Sequence, residues 1–450
     1  MAAEPMDRRR FLRSSAVGVA AGAAAALAGP RAYGANERLI LGFMGCGGRG
    51  TGVATELLAR NDIEIAWTCD AEASRAARLA EVIEKRTGKR PKTTQDFRQI
   101  LEDRQVNALF SMTPDHWHSL STILACQAGK DVYVEKPLSH NLWEGRQAVK
   151  AARKYNRIVQ VGLQGRSAPY IMAGIEYLRS GKLGPVHFVR VLNMKAQGYP
   201  NPRPNAEPPK SLNYDTWLGP APMRPYNPVW CPSGWNWFWD FSGGDIINDG
   251  VHQMDIARWL IGRTTPRYAV ATGGRYLTAD SAAETPDTQS VLYDYGDLTM
   301  QFDLALWTPY LKKIPQNIRM SDTEFPDWRF CATRIEVYGT QGLMMMGRHG
   351  GGWQVYDADG KVVAQNKGRF PAEQHYANFL ECVRSRRRPN GDVEEGHFST
   401  VLCHLGNISL RVGGRRLEYD GAKEAFVGDE QANALLKRAG RAPWRIPEEV

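Results

Sequence analysis

An α/β protein of two domains is what this 450-residue sequence predicts. The first domain is a doubly wound parallel sheet, and the second is built on a large, open, mostly antiparallel sheet. Three observations carry the prediction. From Leu39 to Val161, short apolar runs alternate with helical patterns, as β-α-β units require. A glycine-rich turn, Gly45-Cys46-Gly47-Gly48-Arg49-Gly50, joins the first run to the first helix. Beyond Val161 the runs alternate apolar with polar, the signature of strands with one covered face.

The N-terminus precedes the fold. Asp7-Arg8-Arg9-Arg10-Phe11-Leu12-Arg13 leads into an apolar run from Ala16 to Ala28, which Pro30 stops. Paired arginines, Phe-Leu and small residues at Ala32 and Gly34 predict a twin-arginine leader over 1–34, cut near Ala35. Such a leader exports folded proteins, so the expected location is periplasmic or extracytoplasmic. The apolar run is too short to predict a membrane span.

Hydrophobic content of 43% and charged content of 23% fit a globular chain. Of the net charge of +9, the leader's five arginines against Glu4 and Asp7 supply three. The remainder is too dilute to predict a nucleic-acid partner. Seven cysteines with no Cys-x-x-Cys predict neither a disulfide framework nor a metal site.

The nucleotide domain is read over 35–162. Leu39 to Met44 predicts a buried strand, and Val53, Leu57 and Leu58 mark the helix after the glycine turn. Gly45 allows the tight turn, Gly47 lets the backbone approach a pyrophosphate, and Gly50 lets the helix pack on the strand. The strand Ile63–Cys69 ends at Asp70, twenty residues after Gly50. A carboxylate there bonds the adenine ribose hydroxyls and repels a 2′-phosphate, which favours NAD over NADP. Its other reading is a cap on the next helix, Arg75–Arg86. Strands follow at Val106–Met112, Asp131–Val134 and Ile158–Val161, with helices between them. Thr113-Pro114-Asp115-His116-Trp117-His118 and Glu135-Lys136-Pro137 fall at the strand ends where ligands bind in such sheets.

The second domain is read over 163–450. Val186–Asn193, Ser290–Asp294, Leu298–Phe302, Arg334–Tyr338 and Gln354–Tyr356 predict strands. Residues 197–236 form a long irregular stretch, which is more often functional than idle. Trp235, Trp237, Phe238 and Trp239 either glue that loop down or form a stacking wall for a sugar ring. The apolar spacing after Gly250 predicts a helix carrying His252 and Asp255 on one face, with Asn248 and Asp249 one turn before. Helices also follow His375 and Glu394.

Taken together, Gly45–Gly50, Asp70, Thr113–His118, Val134-Glu135-Lys136-Pro137 and Gly250-Val251-His252-Gln253-Met254-Asp255 resemble the Gfo/Idh/MocA oxidoreductase family over almost all of the mature chain. The resemblance implies a Rossmann domain holding NAD and a partner domain on an open sheet, pairing as a homodimer or homotetramer. It implies that Lys136 lies beside the nicotinamide and the reacting hydroxyl, and that His252 faces it. The implied cofactor set is Gly45, Cys46, Gly47, Gly48, Arg49, Gly50, Asp70, Thr113, Pro114, His116, His118, Glu135 and Lys136. The substrate, a sugar, an inositol or a derivative, is expected at Lys136, Gln164, Arg166, Trp235, Trp237, His252 and Asp255. Where the family often carries Asp, this chain has Asn248, which cannot be a base. Asp249 beside it would point about 100° around an α-helix. The acid–base role is therefore read onto His252 with Lys136, with Asn248 and Asp255 orienting the ring. Two other outcomes are compatible with the sequence: redox-neutral glycoside cleavage through transient sugar oxidation, and a non-catalytic exported sugar-binding protein.

Overall fold

Near-continuous apolar runs build the first sheet, because its strands are covered on both faces. The computed structural model describes residues 38–450, so the twin-arginine leader read over 1–34 lies outside the described residues. Strands β1 (Leu39–Met44), β2 (Ile63–Cys69), β3 (Lys92–Thr94), β4 (Ala108–Ser111), β5 (Asp131–Val134) and β6 (Val159–Val161) form one parallel sheet in the order β3-β2-β1-β4-β5-β6. Every residue of β4, β5 and β6 is buried. The strand order reverses beside β1, so a crevice opens beyond the carboxyl ends of β1 and β4.

Ten strands make the second sheet. They are β7 (Val186–Lys195), β8 (Tyr268–Gly274), β9 (Thr288–Asp294), β10 (Thr299–Leu306), β11 (Arg334–Gly339), β12 (Gly342–Gly347), β13 (Trp353–Tyr356), β14 (Val362–Asn366), β15 (Leu417–Asp420) and β16 (Ala425–Phe426). Their order is β14-β13-β12-β11-β7-β10-β9-β8-β15-β16, and only the central pair β7–β10 is parallel. Alternation along β9 and β10 buries one face. The other face carries polar groups such as Arg190, which donates to Asp303 (2.8 Å).

The division near residue 162 is not a clean cut. Helix Ala372–Ser385 returns to the first sheet, where the Phe379 ring meets Phe110 (5.5 Å) and Tyr133 (5.8 Å). Helix Val393–Arg411 is buried along most of its length between the domains. These apolar faces make the two sheets one packed body, with the crevice at their junction. All seven cysteines are buried thiols. No helix among the described residues is long and apolar enough to cross a membrane.

Candidate active site

The glycine turn is held by close backbone approach that side chains at Gly45 and Gly50 would prevent. Gly45 adopts φ +93°, and a Cβ there would lie 2.5 Å from the Met112 carbonyl oxygen. At Gly50 it would lie 2.0 Å from the Gly45 carbonyl oxygen, so helix and turn touch through backbone. Helix Gly48–Leu57 starts with no side-chain cap. Its first N–H groups are left for an anion such as a pyrophosphate. Gly50→Ala is expected to cost about 1–3 kcal/mol and to lower the dinucleotide content of the purified protein, read by thermal melting and by acid extraction.

Asp70 follows the carboxyl end of β2 and organises the turn. Its Oδ2 accepts the Cys46 N–H (2.7 Å) and its Oδ1 accepts the Glu72 N–H (2.9 Å). Burial raises its pKa, and these two bonds oppose the rise. Lone pairs remain for ribose hydroxyls, so the donor set fits NAD. Cys46 contributes only its backbone here, since its thiol turns back to the Cys69 carbonyl (3.3 Å). A segment from the second domain covers this end of the crevice. Ala73 N–H donates to Ser211 (3.1 Å), and Asn213 N–H donates to Ala71 (2.9 Å). Pro232, Ser233, Gly234 and Trp235 then line the same cleft as Asp70 and Arg75.

The cleft has a volume of about 600 Å³. Gly45, Gly47, Gly48, Arg49, Asp70, Thr113, Pro114, Glu135, Lys136, Gln164, Trp235, Asn248, Asp249 and His252 all line it, as the sequence suggested. Arg49 holds Glu135 through an ion pair (2.7 Å). Burial would raise the Glu135 pKa, but Arg49 and Lys136 hold it below its ordinary range. Lys136 follows β5, and its Nζ donates to both the backbone carbonyl and Oδ1 (3.3 Å) of Asn248. Two neutral oxygens therefore aim the amine without neutralising it.

Asn248 and Asp249 sit on a π-turn, Ile246–Gly250, rather than an α-helix. The wider turn invalidates the 100° expectation, and both residues reach the cleft. Asp249 is ringed by Lys195, Lys313 (2.8 Å) and Arg348 (2.7 Å). Burial opposes its ionisation, yet the three cations hold its pKa well below the carboxylate range. It is a fixed anion and a poor base. The His252 ring packs edge-on against His349 (4.6 Å). Burial first, then Lys136 and Arg348, press the His252 pKa well below 6.5, which leaves a neutral imidazole at neutral pH. Asp115 also lines the cleft. Burial pushes its pKa up to about 7, against the pull of Lys136 and a hydrogen bond from Ser242.

Besides the Cys46 thiol and Gly50, five residues expected at ligands lie elsewhere. His116 is buried against Trp217 and Phe241, with Nε2 3.0 Å from the Trp217 carbonyl oxygen. His118 braces the site from behind, its ring nitrogens on the carbonyls of Pro137 (2.6 Å) and Thr113 (2.8 Å). Arg166 and Asp255 pair with each other (2.8 Å), and Ser399 donates to Asp255 (2.6 Å). Asp255 therefore cannot orient His252. Trp237 packs on Tyr199 (4.4 Å) and pins the loop, so of the four aromatics only Trp235 faces the cleft. Conversely, sequence reading missed Lys313, Arg319, Arg348, His349 and Phe370, all of which line the cleft from the second domain. The run Arg348-His349-Gly350-Gly351-Gly352, basic groups on a glycine turn, was the available signal for two of them. Among the described residues no cluster of His, Cys, Asp or Glu could hold a metal.

Known proteins match this architecture. Residues 39–163 fit the pattern of the GFO/IDH/MocA oxidoreductase family, NAD-binding Rossmann fold. Residues 195–294 and 339–446 fit its C-terminal alpha/beta domain. The chain is 25% identical over 310 residues to scyllo-inositol 2-dehydrogenase (NAD(+)) of Bacillus subtilis, covering 66% of this chain and 73% of that one. It is 30% identical over 136 residues to a glycosyl hydrolase family 109 protein of Stenotrophomonas maltophilia, 29% of each chain. Matches to curated relatives such as these span 29% to 73% of the relative's length. Aldose-aldose oxidoreductase from Caulobacter crescentus, solved with glycerol, superposes with a TM-score of 0.62 at 17% identity, covering 85% of this chain and all of that one (100%). With a glycine turn shaped for a dinucleotide and both domain patterns present, the chain belongs to the GFO/IDH/MocA oxidoreductase family and carries its NAD-binding Rossmann domain.

Proposed function

We propose that the protein moves a hydride between NAD and a hydroxyl-bearing carbon of a sugar, an inositol or a derivative, with the coenzyme held tightly. NAD, when bound, supplies the hydride acceptor. The observation that carries this reading is the Lys136 amine, aimed by two Asn248 oxygens into the cleft that the glycine turn and Asp70 also line. An ammonium has three N–H donors, so one remains to bond the substrate oxygen. As that oxygen loses its proton, the fixed cation stabilises the developing negative charge. His252, kept neutral by burial and with a pKa too low to hold the proton, relays it to the open cleft. Asp249, held anionic by its cations, fixes those cations in place and does not act as base.

The segment crossing Asp70 and Arg75 supports tight retention, since a bound dinucleotide would lie beneath it. Export through a twin-arginine leader would then carry the coenzyme along. Mass spectrometry of small molecules released by denaturing the exported protein should find NAD at close to one per chain. A protein emptied by gel filtration contradicts retention. Mixing holoprotein with a panel of sugars and inositols should raise the reduced-nicotinamide absorbance for at least one of them. No change across the panel contradicts hydride transfer.

A second reading is redox-neutral glycoside cleavage, favoured by the covered cleft and by the stretch resembling a glycosyl hydrolase. It expects release of phenol from an aryl glycoside without added NAD. A stoichiometric ketone product argues against it.

A further inference from the structure

Positive charge crowds the wall of the cleft facing Lys136 and His252. Lys313 lies on the segment between β10 and β11, Arg319 follows it, and Arg348 closes β12. With Lys195 these make four cations, and the carboxylates among them are two, Asp245 and Asp249. Lys195 bonds both carboxylates, and Asp249 is shared three ways. Arg319 makes no ion pair among the described residues. It stacks on Phe370 (4.8 Å), and its Nε is buried with no hydrogen-bond partner. The Nε of Arg348 and Nε2 of His349 are likewise buried and unpartnered. Lys136 hydrogen-bonds two neutral oxygens, with the Glu135 and Asp115 carboxylates near it.

Gathering like charges in a partly desolvated wall is costly unless an anion offsets it. Asp249 cannot do so for all of them, because three cations already share it. Guanidinium forks such as Arg319 and Arg348 match planar or tetrahedral oxyanions in two-point bonds. The geometry points to an anionic substrate: a carbohydrate carrying an oxyanion, either a carboxylate as in a hexuronic acid or a phosphate ester, seated against Arg319, Lys313 and Arg348 while its hydroxyl meets Lys136. The inference rests on the sugar-oxidoreductase reading and names the substrate class of that same cleft.

The test titrates holoprotein with matched ligands: glucuronate and galacturonate, glucose 6-phosphate and galactose 6-phosphate, and the parent hexoses. Binding is read by calorimetry and turnover by reduced-nicotinamide absorbance. At least one acid or phosphate should bind about tenfold or more tightly than its neutral parent. The carboxylate and phosphate arms identify which oxyanion is preferred. Added salt should narrow the gap, and Arg319→Gln should shrink it by about tenfold. Arg319→Lys should recover only part of it. Equal or weaker binding of every anionic member overturns the inference, even if neutral sugars are oxidised. Tight binding of an acid without absorbance change upholds the charge reading and instead contradicts hydride transfer.

Discussion

Replacing Lys136 with Ala should lower turnover about a thousandfold or more while NAD stays bound. The glycine turn, Asp70 and the Arg49–Glu135 ion pair do not depend on the Lys136 side chain, so coenzyme binding should survive. What disappears is the cation that the two Asn248 oxygens aim into the cleft. The loss should fall on kcat more than on KM, because the amine acts on charge that develops in the transition state. Asn248→Leu should give a smaller fall, about tenfold, since the backbone carbonyl of residue 248 still holds the amine. Stopped-flow hydride transfer together with a coenzyme titration checks both variants. A Lys136→Ala protein with near-normal kcat removes the assignment, and one that has lost NAD shows a structural role instead.

The second large effect is on stability against acid. Eight histidines have pKa values depressed by burial. His116 and His404 fall to about 3 and His375 to about 4, while His118, His140, His252, His349 and His397 are also lowered. In the unfolded chain each titrates near the ordinary value of about 6.5. Below that pH the unfolded state binds more protons, so stability present at neutral pH is lost as pH falls toward the folded values. Each histidine contributes up to about 1.4 kcal/mol per pH unit in that window. Asp70, Asp115 and Asp131, whose pKa values burial raises, act in the opposite sense and offset part of the loss. The histidines outnumber these carboxylates, so the net result should be a loss of stability as pH falls below about 6.5. Urea unfolding at stepped pH values should therefore show a midpoint that falls steeply through mildly acidic pH. A flat midpoint would mean that the imidazoles are not held neutral.

How far the sequence reached depends on how locally each feature is encoded. The glycine turn, Asp70 and Glu135-Lys136 were legible because strand ends in a parallel sheet point into one crevice. The first sheet was nearly complete, missing only β3, whose Lys92–Thr94 is short and exposed on two of its three residues. In the second sheet β8, β12, β14, β15 and β16 escaped. The all-apolar Leu343–Met346 has no period of two, and β14 is largely exposed. Polar residues on apolar elements were the main error. His116, Arg166 and Asp255 look like ligands in one dimension but satisfy one another or the backbone inside the core. The π-turn at Ile246–Gly250 changed which residues face the cleft, and no spacing rule announces such a turn. Lys313 and Arg319 arrive from one long connection, as isolated residues without a motif, so only the folded chain brings them to Lys136.

The most direct test is a crystal structure of the holoprotein with a sugar or sugar acid soaked into the cleft. Lys136 Nζ should lie within hydrogen-bond distance of the hydroxyl at the carbon facing the nicotinamide, still anchored by Asn248, with the His252 ring beside it. A substrate seated with its nearest hydroxyl out of reach of that amine, or an amine turned away into solvent, would contradict it.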